Sequence, residues 1–215
     1  MNMSMRIDIW SDYVCPFCSL GERHLSLALE NFAGREDVEV IWRSFQLSPE
    51  AEKEPQDSMV ESLSRMKGAP TAQIEGMLGQ LAAQAEQVGL DFNWREGVNA
   101  NTWDAHRVGQ LAREKGVGMA WDEIVKDGFL SRGRNIADHD TLREFAGKVG
   151  LEAEEVNRVL NSEEYSDQVN ADIATARQIG VQGVPFFVFD GRLAVSGAQP
   201  VEVFTQALEQ AAAAK

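Results

Sequence analysis

The run Cys15-Pro16-Phe17-Cys18 constrains the fold more than any other feature, because it lies where a strand gives way to a helix. Residues 5–10 before it alternate in a way that predicts a strand. After it, apolar residues recur with mostly helical spacing, which predicts a helix that opens at Cys15. These two cysteines are the only ones in the chain. The pattern therefore predicts a dithiol that cycles between reduced and oxidised states.

The start of a helix would give Cys15 a reactive environment. Unpaired backbone N–H groups and the positive end of the helix dipole favour a thiolate over a thiol, and the thiolate is the attacking species in disulfide exchange. We therefore expect Cys15 to be the nucleophile. Cys18, one turn deeper, is expected to resolve the mixed disulfide. Phe17 cannot donate a side-chain hydrogen bond to the Cys15 sulfur, so we expect milder oxidising power than with a histidine there.

Two other interpretations of the cysteine pair are weaker. A structural disulfide across so short a loop would remove little entropy from the unfolded chain. A zinc site would need further ligands, but the chain has no second cysteine pair. The three histidines, His24, His106 and His139, also lack the spacing of a zinc finger. We expect no metal site.

The composition limits the partners and the location of the protein. The chain has 215 residues, of which 44% are hydrophobic, enough for one domain with a large insertion or two small domains. Its 20 basic and 34 acidic residues give a net charge of −14, which repels nucleic acids and anionic membranes. No apolar run approaches the roughly 18 residues of a membrane span, and residues 1–6 lack the features of a signal peptide. We therefore expect a cytoplasmic protein, where a lone C-x-x-C pair is more often catalytic than structural.

The first part of the chain predicts a βαβ unit followed by a helical insertion. Residues 38–45 are rich in β-branched and aromatic residues and predict a second strand. From Pro49 to residue 185 strand-like runs nearly vanish, and prolines and glycines divide helical patterns. Helices are predicted over residues 102–115, 138–149, 152–160 and 163–179, with capping residues at Asp138 and Glu152.

The last part of the chain predicts a hairpin and a closing helix. Residues 186–189 and 192–195 flank Asp190-Gly191, a strong signal for a tight hairpin turn. The closing helix is predicted to begin with Pro200 as its first residue and Ser196 or Gln199 as its cap, and to run through Leu208. Residues 211–214 are predicted to fray.

Three segments carry a resemblance to a known family: residues 12–18 (DYVCPFC), 101–107 (NTWDAHR) and 196–200 (SGAQP). Together with the order of elements, they resemble the FrnE-type branch of the DsbA family. That branch is cytoplasmic and related to the 2-hydroxychromene-2-carboxylate isomerases and kappa-class glutathione transferases. The resemblance implies an α/β thioredoxin fold with a mixed four-stranded sheet, formed by residues 1–48 and 175–215. Residues 49–174 would then be a large α-helical insertion.

The resemblance also implies a substrate-binding site beside the dithiol. In the family, the proline that matches Pro185 is cis and faces the dithiol, which leaves the backbone of Val184 free to pair with an extended substrate. Base rates alone favour a trans proline at a strand start. The N–H groups of Ser196 and Gly197 are candidates to bind an anion such as a glutathione carboxylate, and capping is the simpler alternative. The predicted substrate-binding residues are Pro16, Phe17, Val184, Pro185, Ser196 and Gly197.

Asp12 and Glu22 are the candidates to accept the proton of Cys18, which must ionise before it resolves the intermediate. The alternatives are that Asp12 caps the helix and that Glu22 is solvated. Further along, Asn101 and Thr102 are predicted caps. His106 is interpreted as a packed or surface residue rather than a catalytic one, although the resemblance suggests that its helix lines the substrate groove.

Three functions from different classes are compatible with these features. The first is a thiol:disulfide oxidoreductase that acts on protein or small-molecule disulfides through Cys15 and Cys18. It needs no cofactor, although glutathione is a candidate cosubstrate. The second is a glutathione-dependent isomerase or transferase acting on a small aromatic metabolite, whose related enzymes carry serine at the position of Cys15. The third is a non-catalytic adaptor that uses the acidic helical segment. Either a monomer or a homodimer is compatible with the sequence.

Overall fold

A computed structural model describes residues 4–214, and in them one mixed sheet of four strands is formed. Its strands are β1 (Met5–Ser11), β2 (Val38–Ser44), β3 (Phe186–Phe189) and β4 (Leu193–Ser196). The order across the sheet is β2-β1-β3-β4. The β1 and β2 strands are parallel, whereas β3 is antiparallel to both β1 and β4. The predicted α/β thioredoxin fold is therefore confirmed.

The chain forms two compact units. The first unit extends to Leu47, resumes at Asp172 and contains the sheet, and the second unit is Ser48–Ala171. The helices are α1 (Pro16–Glu30), α2 (Met59–Lys67), α3 (Thr71–Gln87), α4 (Trp103–Glu114), α5 (Gly118–Leu130), α6 (His139–Lys148), α7 (Ala153–Leu160), α8 (Ser166–Gln178) and α9 (Val201–Ala213). None of these helices is long and apolar enough to cross a membrane, within the described part of the chain.

The core of the first unit forms on the sheet. Ile7 and Ile9 on β1 lie opposite Phe189 and Phe187 on β3, and all four side chains are fully buried. Alternate residues of a strand point to the same face, so the register brings these side chains together. They pack in one cluster with residues of α1 and α9. Phe204 of α9 contacts Phe187 edge to face, with 4.7 Å between ring centroids.

Several predicted element ends differ from the structure. The closing helix begins at Val201, with Pro200 as its N-cap residue and no side-chain cap, so the predicted caps at Ser196 and Gln199 are wrong. Residues 211–213 are helical rather than frayed, because Ala211 is buried in the core. The helix predicted from residue 163 begins at Ser166, after Tyr165 adopts a positive φ of 66° that a helix cannot contain.

Candidate active site

The sulfur pair lies at the start of α1, directly after a tight turn at the end of β1. The N–H of Cys15 donates to the carbonyl of Asp12 over 3.1 Å, which closes this turn. Cys15 is the N-cap residue of α1, with an extended backbone and no side-chain capping bond. Pro16 follows as the first helical residue, where its missing N–H costs nothing. Both cysteines are free thiols.

The Cys15 sulfur faces the backbone that precedes β3. Its Sγ donates to the carbonyl oxygen of Val184, with 3.7 Å between the two atoms. The Val184–Pro185 peptide bond is cis, the isomer that the resemblance implies. Cys15 retains 4% exposure, whereas Phe17 beside it is 40% exposed. The structure therefore brings Cys15 and Val184 together and leaves the Phe17 ring open to an incoming molecule.

Cys18 lies in a different environment, one turn deeper in α1. Its side chain is fully buried. Burial raises its pKa well above that of an ordinary cysteine, and the hydrogen bond and charge of Cys15 raise it further, as does the charge of Glu22. A backbone hydrogen bond from Asp12 acts in the opposite direction. The buried thiol is thus held protonated.

The two candidate proton acceptors have different contacts. The Asp12 carboxylate is buried and accepts the N–H of Leu47 at its Oδ2 over 2.8 Å. The N-cap position of α1 itself belongs to Cys15. Glu22 is half-buried and accepts the hydroxyl of Ser11 at its Oε1 over 2.6 Å. It follows Cys18 by four residues, which places both side chains on the same face of α1.

The turn between β4 and α9 contacts Pro185 rather than offering an anion site. The N–H of Gly197 donates to the carbonyl of Pro185 over 2.8 Å. Ser196 is the last residue of β4, opposite Phe186, and α9 begins only at Val201. The prediction that Ser196 and Gly197 present N–H groups to an anion is therefore wrong for Gly197, because that donor already serves the proline segment.

Sequence reasoning missed two residues of α1 that contact this turn. A Cβ atom at Gly21 would lie 3.0 Å from Cγ of Pro185 and 3.2 Å from Cα of Ala198, so a larger residue would push these atoms away by a few tenths of an ångström. The Nδ1 atom of His24 lies 2.7 Å from the carbonyl oxygen of Gln199. A glycine inside a helical pattern is a signal for such a close approach, whereas nothing in the sequence indicates the histidine contact.

This geometry can be compared with known proteins. The family model of the DSBA-like thioredoxin domain matches residues 6–209. The chain belongs to the DsbA-like thioredoxin family.

Individual relatives extend this assignment. The DsbA-like chain is 40% identical to a probable DsbA oxidoreductase from Streptomyces coelicolor, with a TM-score of 0.94 over 98% of this chain and 91% of that one. It is 28% identical to the uncharacterized protein YwbO of Bacillus subtilis, over 96% of each chain. A 2-hydroxychromene-2-carboxylate isomerase shares the fold, at 14% identity with a TM-score of 0.72 over 95% of each chain.

The helix that begins near Asn101 has structural contacts within the helical unit of this DsbA-like chain. Asn101 accepts the N–H of Trp103 at its Oδ1 over 2.9 Å, which fits the capping prediction, whereas Thr102 makes no capping bond. His106 is buried, as a packed residue would be. Arg107 is also buried and donates to the carbonyls of Val159, Ser162 and Glu164.

Asp104 is the charged partner of this arginine in the DsbA-like helical unit. It accepts from Arg107, Lys53 and His139. Burial alone would raise its pKa, but the hydrogen bonds from Lys53, His139 and Arg107 outweigh that effect and lower it. Among residues 4–214, no group of three or more His, Cys, Asp or Glu side chains is placed to hold a metal ion.

Proposed function

We propose that this DsbA-like protein is a thiol:disulfide oxidoreductase, with Cys15 as nucleophile and Cys18 as resolving cysteine. The observation that carries the proposal is the position of the pair at the start of α1, with the Val184 carbonyl 3.7 Å from the Cys15 sulfur. Membership of the DsbA-like family supports it. The substrates would be protein or small-molecule disulfides, with glutathione as a candidate cosubstrate and no other cofactor.

The proposed exchange has two steps. The Cys15 thiolate attacks one sulfur of a substrate disulfide, a new S–S bond joins the two molecules, and the other substrate sulfur leaves as a thiolate that takes up a proton. Cys18 then loses its proton and attacks the Cys15 sulfur. The remaining substrate sulfur leaves, and two electrons have passed from the dithiol to the substrate. The same steps in reverse oxidise a substrate dithiol.

The second step needs a base, because the folded protein raises the pKa of Cys18. We propose Glu22 for this role. Its spacing from Cys18 in α1 and its hydrogen bond from Ser11, which orients the carboxylate, support the assignment. Because Glu22 is only half-buried, it can pass the proton on to solvent. Asp12 is less suited, since its carboxylate is buried and binds the Leu47 backbone.

The substrate would bind next to the sulfur pair through backbone and apolar contacts. An extended peptide pairing with the backbone at Val184 would gain main-chain hydrogen bonds, as in strand addition. The exposed ring of Phe17, with Pro16 beside it, offers an apolar contact to the residues that flank a substrate cysteine. We also propose a cytoplasmic location, which fractionation of the native host would test.

The test is the activity of Cys15→Ser in the reduction of insulin by a thiol donor. We expect this variant to lose activity, because serine cannot form the mixed disulfide. Cys18→Ser should still attack but should accumulate the mixed disulfide, visible by mass spectrometry. Ser26→Ala, an exposed change on the same helix, is the control and should match wild type. Equal activity of Cys15→Ser and wild type would refute the proposal.

A glutathione-dependent isomerase is the second candidate function. The shared fold with 2-hydroxychromene-2-carboxylate isomerase favours it, whereas the presence of Cys18 argues against it, because activating the thiol of glutathione needs no resolving cysteine. Cys18→Ala separates the two candidates. Isomerase turnover with glutathione that is unaffected by this change would favour the second candidate over the first.

A further inference from the structure

Helix α1 contacts the segment around Pro185, and the turn after β4, at three points along its length. At its start, the Cys15 sulfur lies against the Val184 carbonyl. Six residues later, Gly21 lets the helix approach the Pro185 ring to within contact distance. At the third point, His24 binds the turn between β4 and α9 through the carbonyl of Gln199. The helix that carries the sulfur therefore also holds the backbone that faces it.

The His24 contact fixes which nitrogen carries a proton. A carbonyl oxygen can only accept a hydrogen bond, so Nδ1 of His24 must be the donor. The 2.7 Å distance to the Gln199 oxygen fits such a bond. The contact can therefore anchor this turn to α1.

One further hydrogen bond closes the anchored turn, and another connects it to Pro185. The side-chain amide of Gln199 donates to the carbonyl of Ser196 over 2.8 Å, which closes the turn on itself. Inside the turn, the N–H of Gly197 donates to the carbonyl of Pro185 over 2.8 Å. A displacement of the turn would therefore move Pro185, and with it the Val184 carbonyl.

We propose that His24 is a positioning residue for peptide disulfides. By anchoring the 196–199 turn, it holds the backbone of Val184 beside the Cys15 sulfur. The inference rests on the proposed function. It concerns only substrates that pair with this backbone, because a small disulfide without a peptide backbone reaches Cys15 without that pairing. Loss of the anchor should weaken the binding of peptide disulfides and leave the reaction with small disulfides unchanged.

The test compares two disulfides with the same set of variants. One is a peptide with a disulfide flanked by several residues on each side, and the other is 2-hydroxyethyl disulfide. We expect His24→Ala to raise KM for the peptide about 2- to 10-fold, the effect of losing one hydrogen bond, with kcat little changed. The rate with 2-hydroxyethyl disulfide should equal that of wild type. A loss of folded protein would instead lower kcat for both disulfides alike.

Three further variants complete the test. His24→Asn should restore the peptide KM, because its side-chain N–H lies where Nδ1 lies in histidine. Ser26→Ala is the control on α1, and Gln199→Ala loosens the same turn from its other side should His24→Ala fail to fold. The inference is overturned if the peptide KM is unchanged in His24→Ala or, should that variant fail to fold, in Gln199→Ala. It is also overturned if His24→Asn does not restore the wild-type KM for the peptide. If wild type turns over neither disulfide, the proposed function itself fails.

Discussion

The two sulfur atoms of the C-x-x-C pair differ in their surroundings although only one helical turn separates them. Cys15 precedes the first residue of α1 and faces a backbone carbonyl, whereas Cys18 is fully buried beneath it. Burial and the neighbouring Cys15 and Glu22 all favour the neutral form of Cys18. The proposed division of roles between attacking and resolving cysteine therefore has a physical basis in the two environments.

The raised pKa of Cys18 makes the stability of the dithiol form sensitive to alkali. As pH rises, the unfolded chain releases the Cys18 proton first, near the roughly 8.5 of a free cysteine. Stability is thus unaffected by Cys18 below that pH. Above it, the unfolding free energy should fall by up to about 1.4 kcal/mol per pH unit until the folded protein also releases the proton. Urea unfolding under reductant, from neutral pH to about pH 10, measures this slope.

Cys18→Ala is the matched variant for this measurement because it keeps Cys15 and every other titrating group. It should lack the part of the alkaline slope that Cys18 contributes. Identical slopes for wild type and Cys18→Ala would show that the thiol ionises as readily in the folded protein as in the unfolded chain.

At the scale of helices and strands, short sequence patterns predicted the turns and caps that neighbouring residues form with one another. Asp190 and Gly191 both have positive φ, at 49° and 67°, and form the hairpin turn that their residue types predict. Asp138 caps α6, since its carboxylate accepts the N–H of Thr141. Glu152 stands in the same position before α7 but makes no capping bond. The prediction of a cap is thus confirmed for Asp138 and wrong for Glu152, whose longer side chain does not turn back to the helix.

This difference between two helix starts can be measured. Asp138→Ala should lower the unfolding free energy by about 1 kcal/mol at neutral pH, the usual effect of losing a capping side chain. Glu152→Ala, which removes no capping bond, is the control and should have little effect. The backbone N–H of Thr141 lowers the pKa of Asp138. The contribution of Asp138 to the unfolding free energy is therefore complete above roughly pH 4, and it is lost as pH falls through the lower pKa of the folded protein. Equal effects of both changes in urea unfolding would contradict the assignment.

At the scale of the whole molecule, the acidic excess is the dominant electrostatic feature. The chain carries 34 acidic and 20 basic residues, a net charge of −14. Many of its ion pairs join exposed side chains, such as Arg35 with Glu36, and such pairs stabilise a protein little. Repulsion among the unbalanced acidic groups opposes the compact state, and it is largest at low ionic strength.

Salt should therefore stabilise the protein. Raising NaCl from about 0.01 M to about 0.15 M shortens the screening length from roughly 30 Å to roughly 8 Å, and we expect Tm to rise. KCl at the same ionic strength should give the same shift, because screening depends on charge and not on the identity of the ion. A fall in Tm would show that attractive pairs outweigh the net repulsion.

The sequence by itself determined the elements and their order: the dithiol between a strand and a helix, the helical insertion and the hairpin. These depend on periodicity and turn chemistry within a few residues, which are visible along the chain. Only the tertiary structure decided the partners around the sulfur pair. Gly197 donates to Pro185 rather than to an anion, and His24 binds the carbonyl of Gln199, which lies 175 residues further along the chain. No local pattern specifies such a contact, because it exists only once the sheet has brought the two ends of the chain together.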